Sequence, residues 1–131
     1  MSTLKADTIQ STSGGAVTLT NQSAAKALID FDGSDASIDK SLNISGLVDN
    51  GTGNFTISFS SSFDSADYHF ISGTAGYESS AVNAALLFGQ FDDSTRTASQ
   101  IQCESYLTNS GNNRTATDLD NCDAVWFGDL A

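Results

Sequence analysis

The chain offers few residues that could carry chemistry: two cysteines, one histidine, three clusters of aspartate and a handful of exposed aromatics. Cys103 lies on an alternating segment and Cys122 just before the last apolar run, so the two can approach in space and cross-link. A chain made in the cytoplasm keeps such thiols reduced, and buried thiols are expected ahead of a disulfide. A zinc site needs four ligands at short spacing, which the sequence does not supply. His69 sits between Tyr68 and Phe70 in an apolar stretch. A catalytic histidine needs a positioned nucleophile and an orienting acid. No nucleophile elbow, phosphate loop or metalloprotease helix accompanies it, so an ordinary strand histidine is expected.

The acidic clusters are Asp30, Asp32 and Asp35; Asp92 and Asp93; and Asp118, Asp120 and Asp123. Calcium takes about six to eight oxygens from a pre-shaped loop. DFDGSD and DLDNCD are rich in oxygen but miss the EF-hand ligand positions, so solvated turn carboxylates are expected. Asp118, Asp120 and Asp123 are the strongest cation candidates, because they lead directly into the last strand. No carboxylate spacing singles out a glycosidase pair. Neither an enzyme nor a bound cofactor is expected. Among the aromatics, Tyr106 on a polar strand face and Tyr77 in a glycine-flanked turn best suit a sugar platform. Trp126, in the closing apolar run with Val125 and Phe127, suits the core or a subunit interface better, and Tyr68 is a further candidate.

These residues need a scaffold, and composition indicates its class. Only 39% of residues are apolar, proline is absent, and helix-forming Leu, Lys, Glu and Met are scarce. Short strands joined by polar turns fit that mixture. The spacing predicts strands near 26–31, 41–48, 54–60, 68–73, 82–91, 95–108 and 125–127. Phe55, Ile57 and Phe59 alternate against Thr56 and Ser58, the period of a half-buried strand. Asn50-Gly51 accepts positive φ and predicts a hairpin. The polar run 61–67 has room for one helical turn, and 109–121 reads as a long polar connection. The expected fold is all-β, a small antiparallel sandwich or jelly-roll-like domain over 24–131. Without proline, its sheet edges must be closed, covered or paired between subunits.

The net charge is −11, with only five Lys and Arg. Phosphate repulsion then argues against nucleic acid as a partner. Acidity keeps a multi-copy exterior protein soluble, and a salt-adapted source explains it equally well. No signal peptide or membrane-spanning run is evident, so synthesis in the cytoplasm without membrane insertion is expected.

Residues 1–23 differ from the rest. Leu4, Ile9, Val17 and Leu19 are set among Ser, Thr and Gln around a Gly14-Gly15 break. Such a segment cannot offset an ordering entropy of roughly 1–2 kcal/mol per residue by itself. It becomes ordered on a partner or on copies of itself, which is the behaviour of an extended assembly arm.

The stretch STLKADTIQSTSGGAVTL (Ser2 to Leu19) also resembles the N-termini of short tail-fibre and head-fibre proteins of tailed phages, marine ones especially. QSAAKALIDFDG (Gln22 to Gly33) resembles that family's AAKA-aromatic-x-NFNG segment, with Leu28 where the family often has Trp. SLNISGLVDNGTGNFTISF (Ser41 to Phe59) resembles its S-x-NVSS-x-TDNGTGDYTVNF hairpin, and AVWFGD (Ala124 to Asp129) its last strand. These pieces follow the family's order over about half the chain.

The resemblance implies a virion surface protein, made in the bacterial host and commonly homotrimeric. An arm of this length spans at most about 70 Å fully extended, which suits a knob on the capsid better than a host-reaching fibre. A capsid decoration protein is therefore expected, with the major capsid protein or other virion proteins as partners. Leu4, Ile9, Val17 and Leu19 would be its anchors. The alternative is a tail-fibre or tail-tip component that binds host-surface glycan through Tyr77 and Tyr106.

Overall fold

The computed structural model describes residues 24–75, 85–90, 95–108 and 114–131. The four arm residues singled out above, together with Tyr77, Asp92 and Asp93, lie outside the described residues. Among the described residues nine strands form two antiparallel sheets: β1 (Ala27–Asp32), β2 (Ser37–Leu42), β3 (Ile44–Gly51), β4 (Asn54–Phe59), β5 (His69–Ala75), β6 (Ala85–Gln90), β7 (Gln100–Thr108), β8 (Arg114–Ala116) and β9 (Asn121–Phe127). One sheet has the order β2-β1-β9-β5. The other runs β3-β4-β7-β6, with β8 also paired to β7. The expected all-β sandwich is what the chain forms. Its first and last strands are neighbours, and the chain crosses between sheets after β2, β4, β5 and β8, a jelly-roll-like winding.

Alternation explains which faces meet. Ile29 and Phe31 of β1 and Cys122, Ala124 and Trp126 of β9 point inward from the first sheet. Phe55, Ile57 and Phe59 of β4 and Ile101 and Cys103 of β7 answer from the second. Aromatic edges lock the layers together. Phe31 meets Phe55 at 5.0 Å and Phe88 at 5.7 Å, while Phe59 meets Trp126 at 5.4 Å, all edge-to-face. Both thiols are free and buried in this core.

Three local expectations are corrected. The strand predicted over 41–48 is two strands in different sheets, split at Asn43. Asn43 adopts φ 58°, a left-handed conformation that asparagine tolerates. Its side chain donates to Ser61 O (3.0 Å) and accepts from Ser61 N–H (2.7 Å), tying the corner to the exit of β4. The polar run 61–67 is not helical. Phe63 is buried there, its N–H donates to Ala98 O, and it bridges to Leu130. Part of the connection 109–121 is strand β8, because β4 pairs with β7 only as far as Glu104. Tyr106 to Thr108 would otherwise leave backbone groups unpaired on that edge.

The β3–β4 hairpin is present, but its positive φ angles fall on Gly51 (123°) and Gly53 (68°) rather than on Asn50. Gly53 is required on steric grounds as well, since a Cβ there would collide with Ser105 O and lie 2.7 Å from Thr117 N.

Candidate functional site

The sandwich presents two outer faces of opposite character, and each is set by the residues between the core positions. On the β2-β1-β9-β5 sheet, the outward residues of neighbouring strands stand in register. Leu42 is opposite Leu28, Leu28 opposite Val125, and Val125 opposite Ile71. One apolar row thus crosses all four strands on the solvent side. Leu42 and Ile71, at its two ends, are 51% and 67% exposed. Beside it runs a second row, Lys40, Asp30, Asp123 and Gly73. On the row's other side His69 is exposed, opposite Phe127.

Asp30 and Asp123 face each other directly across β1 and β9. Partial burial holds the Asp123 carboxyl above its usual range, and the Asp30 charge and a carboxyl–carboxylate hydrogen bond push the same way. Asn121 Nδ2 donates to Asp30 Oδ1 at 3.4 Å. This pair is thus an electrostatic weak point on the outer surface.

The other face, on β3-β4-β7-β6, is mainly polar and internally hydrogen-bonded, with exposed Val48 of β3 standing opposite Thr56. Asn54 Oδ1 accepts from Gln102 Nε2 (2.6 Å) and Asn50 Nδ2 (3.1 Å), and Asn50 also donates to Thr56 Oγ1 (2.8 Å). Arg114 pairs with Glu104 and lies over the Tyr106 ring at 3.9 Å. One face of Tyr106 is therefore taken by a guanidinium rather than open to a sugar.

The aspartates expected to be turn residues can now be placed. Asp32 Oδ1 accepts from the hydroxyl (2.6 Å) and backbone N–H (2.7 Å) of Ser34, bonds that hold its carboxyl below the usual range. Asp35 accepts from Ser37 N–H. Asp118 is structural. Its Oδ1 accepts from Gly53 N–H (2.6 Å), joining the β3–β4 turn to the segment before β9. Asp120 is exposed on the approach to β9, and Asp123 is turned toward Asp30. The three candidates thus face separate tasks. Among the described residues no set of three His, Cys, Asp or Glu side chains converges as a metal site would require.

Sequence reading missed the apolar row, because each strand contributes one residue to it. A signal was present in Leu28, Leu42, Ile71 and Val125, apolar residues standing at positions the alternation assigns to solvent. Comparisons with protein-family models, with curated proteins and with solved structures give no match to this chain.

Proposed function

We propose that this protein is a structural component of a tailed-phage particle, most specifically a capsid-surface decoration protein of head-fibre type. The observation that carries the reading is the apolar row Leu42–Leu28–Val125–Ile71, laid across a solvent face of the sheet that contains β1, the strand following residues 1–23. A small acidic domain gains nothing for its own fold from such a row, and an assembly surface explains it. Strand β2 adds to this: all six of its residues are exposed, so it presents an edge available to a second subunit, consistent with a homotrimer. The resemblance of the arm and of the β3–β4 hairpin to phage fibre proteins supplies the biological setting.

In this reading the arm ties the sandwich to the capsid through Leu4, Ile9, Val17 and Leu19, and the contribution is mechanical. The second reading is a tail-fibre or tail-tip component that binds host-surface glycan. The amide-rich outer face of β4 and β7 favours it, although the covered Tyr106 ring does not.

Gold-labelled antibody on intact virions, viewed by electron microscopy, separates the two. Label over the head, lost from particles assembled with Ile9→Asp, is the expected result. Label confined to the tail would replace decoration by adsorption, and unlabelled particles would remove the virion reading altogether.

A further inference from the structure

Two bonds in this chain are of the kind that rearrange without an enzyme. Asn-Gly occurs once, at Asn50-Gly51, and Asp-Gly once, at Asp32-Gly33. Glycine has no Cβ to shield its backbone nitrogen, so that nitrogen can attack the side-chain carbonyl of the residue before it. At Asn50 the Gly51 nitrogen gives its proton to a solvent base and bonds to Cγ. The Cγ–Nδ2 bond then breaks, and the amide nitrogen takes a proton from water and leaves as ammonia. One water opens the resulting succinimide ring at either carbonyl, leaving an aspartyl or an isoaspartyl residue at position 50.

The folded hairpin restrains both partners in that step. Gly51 N–H, the nucleophile, donates to Asp49 Oδ1 at 2.7 Å. Asn50 Nδ2, the leaving group, donates to Thr56 Oγ1 at 2.8 Å and to Asn54 Oδ1 at 3.1 Å, which turns the amide toward β4. The restraint is local, however. Asn50 is the extra residue where the β3–β4 register shifts, between Asp49 opposite Phe55 and Gly51 opposite Asn54. Strand β3 is an edge of its sheet, and Val48 to Gly51 are all exposed. Opening therefore starts where the reactive bond lies. Asp32-Gly33 is closed more firmly. Gly33 is buried, its N–H donates to Leu119 O at 2.9 Å, and Ser34 occupies the Asp32 carboxylate.

We infer that Asn50 is a self-modification site, a deamidation locus that the hairpin bonds of Asp49, Asn54 and Thr56 hold shut until the β3–β4 turn opens. Reaction there is an irreversible record of that opening. It replaces the Nδ2 donor with a carboxylate beside Asp49, and so detaches Asn50 from the network that runs through Asn54 to Gln102. The isoaspartyl product also adds a carbon to the main chain two residues before the turn at Gly53, which is wedged against Ser105 O and tied to Asp118. A turn opened in this way cannot close on its former bonds. The inference concerns the chemistry of the chain and holds whether or not the protein sits on a virion.

The test is incubation of the full chain in mildly alkaline buffer, with and without urea, followed by peptide mapping by mass spectrometry. The amide-to-acid mass gain on the peptide holding Asn50 gives a rate in each state, and an isoaspartyl-specific methyltransferase counts the second product. The native rate should be about tenfold or more below the rate in urea. Asp49→Ala and Thr56→Val should each narrow that ratio by about threefold, each variant being compared with its own rate in urea. The comparison within the parent needs no variant, so it stands even if one of them folds poorly. A parent that reacts equally fast in both states overturns the inference. Parental ratios in both variants overturn it as well, because the named bonds then restrain nothing. So does Asp49→Ala reacting more slowly than the parent when native, since the carboxylate would then be serving as the base.

Discussion

Asn43 carries more structural duty than its place in a polar stretch indicates. It turns the chain from one sheet into the other in a single residue, at φ 58°, and its amide clamps Ser61 in both directions. Backbone conformation and side-chain bonding separate by substitution. Asn43→Gly keeps the conformation and loses two exposed hydrogen bonds, each contributing up to about 1 kcal/mol. Asn43→Ala loses the same bonds and adds a left-handed penalty of about 1 kcal/mol. Urea unfolding, followed by the emission of the sole tryptophan, buried Trp126, should rank parent above glycine above alanine. Equal midpoints for the two variants would show that conformation contributes nothing at this corner. The two thiols make a second residue-scale case. Burial pushes both Cys103 and Cys122 up to about 12; Cys122 adds less at Cys103, and Asp123, Asp32 and Asp118 add less at Cys122. Both raised values belong to neutral, enclosed groups, so a thiol reagent near pH 8 should label neither in the native protein and both in denaturant. Since the folded values lie above the ordinary thiol value of 9.0, their stabilising contribution is complete below pH 9.0 and is lost as pH rises toward 12. A native protein that reacts fully at pH 8 would mean the core is open.

Among elements, the β1–β9 pair matters most, because it joins the beginning of the sandwich to its end and sets two carboxylates face to face. Like charges directly opposed across strands cost a few tenths to about 1 kcal/mol, less where solvent screens them. Asp123 has a folded value raised above 3.8, so its contribution to stability is present below pH 3.8 and is lost as pH rises through the raised value. Asp123→Asn should therefore stabilise the protein at neutral pH, and the advantage should vanish once the parent's Asp123 is protonated. Thermal melts of both proteins between pH 3 and 7 measure this, and parallel curves would contradict it. The same pairing shows what a sequence can and cannot reveal. The strands β4 and β7 are legible because each has a core face on alternate residues, and alternation is visible along a chain, whereas β9 shows only its apolar end, 125–127. The Asp30–Asp123 opposition and the four-residue apolar row are not, since they exist only across strands whose register is fixed by packing. The break at Asn43 is hidden for a related reason: its bonding partner is eighteen residues away. Strand β8 has no apolar alternation at all and forms because the end of β7 needs a neighbour.

At the scale of the whole molecule, charge is the dominant unbalanced term. The sandwich gathers fifteen of the sixteen acids, and among the described residues a single ion pair, Arg114–Glu104, offsets any of them by direct contact. Most of this repulsion is between exposed groups, which salt screens with a Debye length of about 10 Å at 0.1 M and about 3 Å at 1 M. Raising sodium chloride from about 10 mM to about 500 mM should therefore stabilise the isolated protein. For a domain of this size a gain of about 1 kcal/mol corresponds to a few degrees in Tm. The response should level off once screening is complete, whereas a salting-out effect on the core would keep rising. Calcium chloride at matched ionic strength is the informative control. If screening alone acts, the two salts give the same Tm. A further rise with calcium, abolished by Asp120→Asn, would show that the acids before β9 gather around a cation after all. A Tm that stays flat in both salts would mean that the acidic surface is already spaced widely enough to cost nothing, leaving solubility as the reason for its charge.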